Sequence, residues 1–192
     1  HFAQAEDVLD PNGFTRCQVE GFESLYRQFF QEGHSWHAHN SAALLAKQLE
    51  GASEAYMSWG SRPGIALYGQ APKLRNGNVE VTLQPTFTLF TALTIARDVK
   101  PGESVSYDRT WVAESATRVG VLPVGYGDGL NRLLSNNGEV FLAGHRYPIV
   151  GRVCMDYTMI DLGGSPADKV PQVGDSVEVF GKEIPVTEIA DR

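Results

Sequence analysis

The sequence predicts an α/β portion over residues 1–75 followed by an all-β portion over residues 76–192. Two observations carry this division. In the first portion, short apolar runs alternate with segments of helical periodicity, the pattern of strand-loop-helix units. In the second, short alternating runs are separated by turn signals about every ten residues, which predicts a β-sandwich or small barrel.

Within the first portion, Phe14 to Phe30 carries Val19, Phe22, Leu25, Tyr26, Phe29 and Phe30 near helical spacing and reads as an amphipathic helix. His37-Ala-His39 leads into Ala42 to Leu49, a run of strong helix formers. Asn40 or Ser41 would cap that helix, and Gly51 would end it. Ser61 to Gly69 then gives a loop and an apolar stretch. The alternation fits βα units of a barrel or of a doubly wound sheet, with too few units to close a barrel.

In the second portion, Val79 to Leu83 alternates, and Pro85 to Ile95 does so at greater length. Lys100-Pro101-Gly102 is a turn. Arg118 to Leu122, Glu139 to Leu142, Tyr147 to Val150, Val153 to Leu162 and Asp175 to Phe180 read as strands. Asn136-Asn137-Gly138 and Gly144 punctuate them.

Composition narrows the function. The chain is 42% hydrophobic and 20% charged with a net charge of -7. That balance argues against a nucleic-acid surface, which needs clustered basic residues. No apolar run approaches the roughly 20 residues of a membrane helix, and no signal peptide is visible. Cys17 and Cys154 lack a spacing signature and read as reduced thiols of a cytoplasmic protein. A start at His1 and an end at Arg192, inside what reads as an element, lead us to expect a piece of a longer polypeptide.

Several clusters present chemistry. Tyr107 precedes Asp108-Arg109; a phenol of pKa about 10 is a poor base, and a cation such as Arg109 would favour its phenolate. Gly125-Tyr126-Gly127-Asp128-Gly129 permits close backbone approach to a ligand. Cys154-Met155-Asp156 offers backbone N–H groups to a carboxylate. Arg62-Pro63-Gly64-Ile65 and Asn40-Ser41 are each able to offer donors to a phosphate. Taken singly, Tyr107 also reads as a strand-end residue, the glycine cluster as a turn, and Cys154-Met155 as packing. His34, His37 and His39 lack the spacing of a zinc site, so no metal is expected.

Jointly the clusters resemble alanine racemase, a pyridoxal-phosphate enzyme family. The resemblance rests on His1-Phe-Ala-Gln-Ala5, Asn40-Ser41-Ala-Ala43, Arg62-Pro-Gly64-Ile65-Ala-Leu-Tyr68-Gly69, Ser104-Val-Ser-Tyr107, Gly125-Tyr126-Gly-Asp128-Gly129 and Val150-Gly-Arg-Val-Cys154-Met155-Asp156, in order along nearly the whole chain. It implies that residues 1–75 are the C-terminal portion of a pyridoxal-phosphate-binding (β/α)8 barrel and residues 76–192 a β-domain truncated at its end. It also implies that the family's Schiff-base lysine and its closing tyrosine segment lie outside this chain.

The implied activity is interconversion of L- and D-alanine, a peptidoglycan precursor, by a cytoplasmic homodimer with shared active sites. Racemisation needs one base on each face of the substrate Cα. The resemblance assigns one to the lysine and the other to Tyr107, acting across the dimer interface. It assigns Arg62 to the cofactor's pyridine nitrogen, with His1 nearby; Ser41, Gly64 and Ile65 to its phosphate; and Met155 to the substrate carboxylate. Tyr126 and Asp156 would line the substrate route.

Two departures stand out. The family's Tyr-Gly is Tyr107-Asp108 here, and its Gly-Tyr-Ala-Asp-Gly carries Gly127 instead of alanine. Racemases acting on serine or basic amino acids share most of these motifs. A decarboxylase with the same plan and a non-catalytic β-barrel binding module are the other readings; the Gly-Tyr-Gly-Asp-Gly and Cys-Met-Asp sequences favour the racemase. The isolated chain, lacking the lysine, is expected to be inactive.

Overall fold

The computed structural model describes residues 1–10, 12–31, 34–46, 58–75, 81–166 and 169–192. These form two compact units, His1–Thr86 and Phe87–Arg192.

The first unit contains helix α1 (Phe14–Phe29), strand β1 (His37–His39), helix α2 (Ser41–Ala46), strand β2 (Gly60–Ser61) and a 3₁₀ turn (Ile65–Tyr68). The α1 periodicity has the expected consequence: Val19 and Phe22 pack on a core of Phe2, Ala5, Ala38, Ala42, Ala43 and Trp59. Leu25 and Phe29, three and seven residues beyond Phe22 on the same stripe, are nevertheless exposed, as is Phe14, so only part of the apolar stripe is buried within this unit. Phe22 meets the Trp59 ring edge-on at 4.5 Å, a favoured aromatic geometry.

A carboxylate organises the start of α1. Buried Asp7 accepts the Phe14 N–H at 2.8 Å and the Thr15 N–H at 3.3 Å, and also accepts the Thr15 hydroxyl. Burial pushes its carboxyl upward, but the bonds from the Thr15 hydroxyl and the Phe14 and Thr15 amides outweigh it and hold Asp7 below the usual carboxylate range. A Cβ on Gly13 would come within 2.8 Å of Asp7, so glycine permits the approach.

β1 and β2 pair in parallel, with α2 on the connection between them. This is the strand-helix-strand arrangement expected of the first portion. The continuation of the second helix through Leu49 and its stop at Gly51 lie outside the described residues. So do Val79 and Glu80, the start of the strand expected at 79–83. Val81–Leu83 join no strand; just beyond them the Thr86 N–H donates to the Tyr68 carbonyl at 3.4 Å and its hydroxyl to the Leu67 carbonyl.

The second unit is antiparallel throughout its described ladders. Its strands are β3 (Leu89–Ala92), β4 (Ile95–Val99), β5 (Ser104–Val105), β6 (Trp111–Val112), β7 (Thr117–Leu122), β8 (Glu139–Leu142), β9 (His145–Pro148), β10 (Thr158–Asp161) and β11 (Ser176–Phe180), followed by helix α3 (Val186–Ala190). One sheet has the order β10-β7-β4, another β3-β11-β8-β9, and β5 pairs with β6. Leu122, Val140, Leu142, Tyr147, Ile160, Val177 and Val179 from the two larger sheets share one core.

Two expected strands are shorter than the alternation suggested. The run from Pro85 to Ile95 begins its ladder only at Leu89 and changes sheets at Leu93-Thr94: β3 pairs with β11, whereas β4 pairs with β7. The Leu93 N–H donates to Asp175 O in one direction and the Thr94 N–H to Val121 O in the other. Both sheets face the same core, so the alternation survives the corner. The run from Val153 to Leu162 becomes a ladder only at Thr158, because the preceding carbonyls are claimed by another loop.

Candidate active site

In the first unit, Asn40 is the residue that caps α2: its Oδ1 accepts the Ala43 N–H at 3.0 Å. That leaves the neighbouring Ser41 hydroxyl for another role. Buried Ser41 Oγ accepts the Gly64 N–H at 2.9 Å and the Ala66 N–H at 3.2 Å. The hydroxyl thereby gathers the backbone N–H groups of the 64–66 segment around itself. A Cβ on Gly64 would meet nothing within 4 Å, so this stretch of backbone has an open side. Having accepted both amides, the Ser41 hydroxyl keeps its own proton to donate, and such a donor beside open backbone can meet a phosphate.

Arg62 leaves the end of β2. Its N–H donates to His39 O at 2.8 Å and its side chain is exposed. Exposed His1 precedes Phe2, whose N–H donates to Ala38 O at 3.0 Å and sets the segment beside β1. His39 is buried, its Nδ1 3.4 Å from Ser61 Oγ. Among the described residues no cluster of His, Cys, Asp and Glu is arranged to hold a metal.

In the second unit, two loops interlock through backbone. The Tyr126 N–H donates to Cys154 O at 2.9 Å and the Gly127 N–H to Met155 O at 2.8 Å. The Gly125 N–H donates to the Asp128 carboxylate at 3.0 Å, closing the 125–128 turn. A Cβ on Gly125 would lie 2.5 Å from the Met155 carbonyl carbon, so only glycine admits the contact. Gly129 adopts φ 97°, where glycine is also favoured. The interlock brings Tyr126, Met155 and Asp156 together, and Tyr126 and Met155 remain exposed. The Arg132 guanidinium sits 5.2 Å from the Tyr126 ring centre, a cation–π distance.

Tyr107 is tied to the same region through its neighbours. Ser106 Oγ donates to Arg152 O at 2.6 Å and lies 3.4 Å from Cys154 Sγ. Arg152 Nε lies 2.9 Å from Asp108 Oδ2, off the line that a hydrogen bond needs, so the contact is an ion pair. Ser106, Asp108 and Arg109 all have positive φ, at 66°, 59° and 51°. Tyr107 thus projects from a run of backbone that L-residues seldom adopt. Arg109, the cation nearest Tyr107 in sequence, instead donates through Nε to Ser104 Oγ at 3.0 Å. Both cysteines are free thiols.

The chain therefore holds a donor cradle in one unit and a tyrosine-bearing loop cluster in the other. The family profile described as alanine racemase, N-terminal domain, matches residues 1–72, and that described as alanine racemase, C-terminal domain, matches residues 86–192. The alanine racemase of Aeromonas hydrophila is 37% identical over 192 residues, 100% of this chain and 50% of that relative. The biosynthetic alanine racemase structure from Pseudomonas aeruginosa is 34% identical with a TM-score of 0.76, over 100% of this chain and 49% of its own. The Bartonella henselae alanine racemase with covalently bound pyridoxal phosphate is 28% identical with a TM-score of 0.79, again over 100% and 49%. The chain belongs to the alanine racemase family, as its motifs led us to expect. It spans about half the length of the curated relatives it matches.

Sequence reading located Tyr107, Tyr126 and Met155 but not what holds them. Arg132 carries no motif signal of its own, and Ser106, though inside the Ser104–Tyr107 motif, gives no sign in sequence of its bond to the Arg152 carbonyl. Arg152 lies inside a recognisable motif, yet nothing in the sequence says that its carbonyl and its guanidinium are both used.

Proposed function

We propose that this chain is the C-terminal part of a pyridoxal-phosphate-dependent racemase interconverting L- and D-alanine, with residues 1–75 belonging to a (β/α)8 barrel and residues 76–192 to a β-domain. The observation that carries the reading is the Ser41 cradle, a buried hydroxyl with the Gly64 and Ala66 amides gathered onto it and open space at Gly64. With both amides donating to its oxygen, the Ser41 hydroxyl has its proton left to donate to the phosphate of the cofactor. Ser41 and the Gly64 and Ile65 N–H groups would hold the phosphate, and Arg62 would face the pyridine nitrogen with His1 beside it.

Pyridoxal phosphate, when bound, supplies the electron sink that makes the substrate Cα proton removable. The chain's own groups do the rest. A guanidinium does not release its proton, so Arg62 would leave the ring nitrogen unprotonated and temper that sink. Tyr107 would take or return the proton at Cα from one face, opposite a base from outside these residues. A Met155 N–H would bind the substrate carboxylate, while Tyr126 and Asp156 line the route to it. Tyr107 and its neighbours would serve the cofactor of a partner subunit in a cytoplasmic homodimer.

The test uses the complete polypeptide carrying this sequence, reconstituted with pyridoxal phosphate. We expect a visible Schiff-base absorbance band and conversion of either alanine enantiomer to the racemic mixture. Ser41→Ala should weaken cofactor binding by roughly tenfold, the loss of one hydrogen bond to a charged group. Serine or a basic amino acid turning over faster than alanine would redirect the substrate assignment. Failure to bind the cofactor would leave the chain as a β-domain binding module.

A further inference from the structure

Asp108, the residue after Tyr107, stands at φ 59°. Aspartate tolerates the left-handed region better than most residues, but glycine occupies it more freely. An aspartate held in that region invites a contact that fixes it there, and one is present. Arg152 Nε stands 2.9 Å from Asp108 Oδ2. The same Arg152 accepts the Ser106 hydroxyl on its carbonyl at 2.6 Å. A single residue therefore grips the chain on both sides of Tyr107. Arg152 is itself anchored by its neighbours: the Gly151 N–H donates to Asn136 Oδ1 at 2.6 Å and the Val153 N–H to Ser135 Oγ at 3.0 Å.

We infer that the Asp108–Arg152 ion pair is a latch that positions Tyr107. Asp108 and Arg152 are positioning residues, acting through the 106–109 turn. The inference rests on the reading of Tyr107 as a proton-transfer group, but its physical half does not. Both partners are substantially exposed, so the latch has the strength of a surface ion pair and is weakened by salt.

The experiment compares Asp108→Asn, Arg152→Gln and the double variant in the complete polypeptide. Asparagine keeps the shape and the left-handed tolerance and removes only the charge. Amide hydrogen exchange at Ser106 to Arg109 needs neither cofactor nor turnover. Each single variant should speed it about two- to fivefold, the range of an exposed pair, and the double variant no more than either single. High salt should speed exchange in the unaltered protein and not in Asp108→Asn. In the reconstituted enzyme kcat should fall by at least the same factor with KM unchanged, again without multiplication in the double variant. Unchanged exchange in Asp108→Asn, or effects that multiply, would overturn the latch. Altered exchange with unchanged kcat would overturn its connection to Tyr107. Absence of any racemase activity would instead count against the functional reading, with exchange still deciding the latch.

Discussion

Replacement of Gly125 by alanine isolates the interlock that assembles the second unit's site. Gly125 has φ -150° and ψ -166°, extended backbone open to any residue, so alanine meets no conformational penalty there. The obstacle is steric. The new Cβ would stand 2.5 Å from the Met155 carbonyl carbon, against about 3.5 Å for a normal carbon–carbon contact, so the loops must part by roughly 1 Å. Neither atom belongs to a flexible side chain that could swing aside. Overpacking of this kind costs about 1–3 kcal/mol. Parting the loops also strains the Tyr126 N–H bond to Cys154 O and the Gly127 N–H bond to Met155 O, about 1 kcal/mol each. The expected total of about 3–5 kcal/mol lowers the thermal midpoint of a unit this size by well over 10 °C, read by circular dichroism or calorimetry. Two companions separate the causes. Gly127→Ala places its Cβ 3.0 Å from Met155 O, tight but relieved by a small shift, so the midpoint should move little. Gly129→Ala has open space but φ 97°, and should cost about 1–2 kcal/mol from backbone alone. A Gly125→Ala protein as stable as Gly127→Ala would refute the reasoning.

Other perturbations test other links. Tyr107→Phe in the reconstituted enzyme should slow solvent-deuterium exchange at Cα of one alanine enantiomer by roughly 10²-fold while sparing the other; equal losses would argue against a one-sided base. Asp7→Ala should destabilise the start of α1 by about 2–3 kcal/mol, the scale of hydrogen bonds to a charged group, measured by urea titration. Because Asp7 is held below its unfolded value, its contribution is present above about pH 4 and is lost as pH falls through the lowered folded value. Glu188 is held low by its hydrogen bond from Arg192 and, against the opposing effect of burial, by Arg146. The Glu188 pairs with Arg146 of β9 and with Arg192 should therefore hold above about pH 4.3 and release in acid as Glu188 protonates, and Glu188→Gln should abolish that acid step in exchange at 186–190.

The legible parts of the fold were those whose cause is local. Phe14 to Phe29 is a helix because its apolar spacing repeats within one turn, and Ser176 to Phe180 is a strand because its alternation matches one pleat. The corner at Leu93-Thr94 was not legible. Alternation reports only which face is buried, and here two sheets bury residues against one core, so the pattern runs through the change of partner. The loss of strand at residues 154–156 was hidden for a related reason. Cys154 O and Met155 O accept from Tyr126 and Gly127, about thirty residues upstream, and no local pattern records that debt.

The site follows the same logic with a different outcome. Its motifs were readable because they are rich in residues that backbone contact demands: Gly125 for close approach, Gly129 and Gly151 for positive φ. Such demands fall on particular positions and leave fixed letters in the sequence. The partners that accept these contacts are carbonyls, which every residue possesses, so they leave no letter at all. Tyr107 shows both sides. Its own position was readable from the motif, whereas its hold depends on the Arg152 carbonyl, invisible in sequence, and on an ion pair whose single trace is an aspartate where glycine was expected. A non-glycine residue at a left-handed position is therefore a pointer to where a compensating contact must be sought, and Asp108, paired with Arg152, is such a residue here.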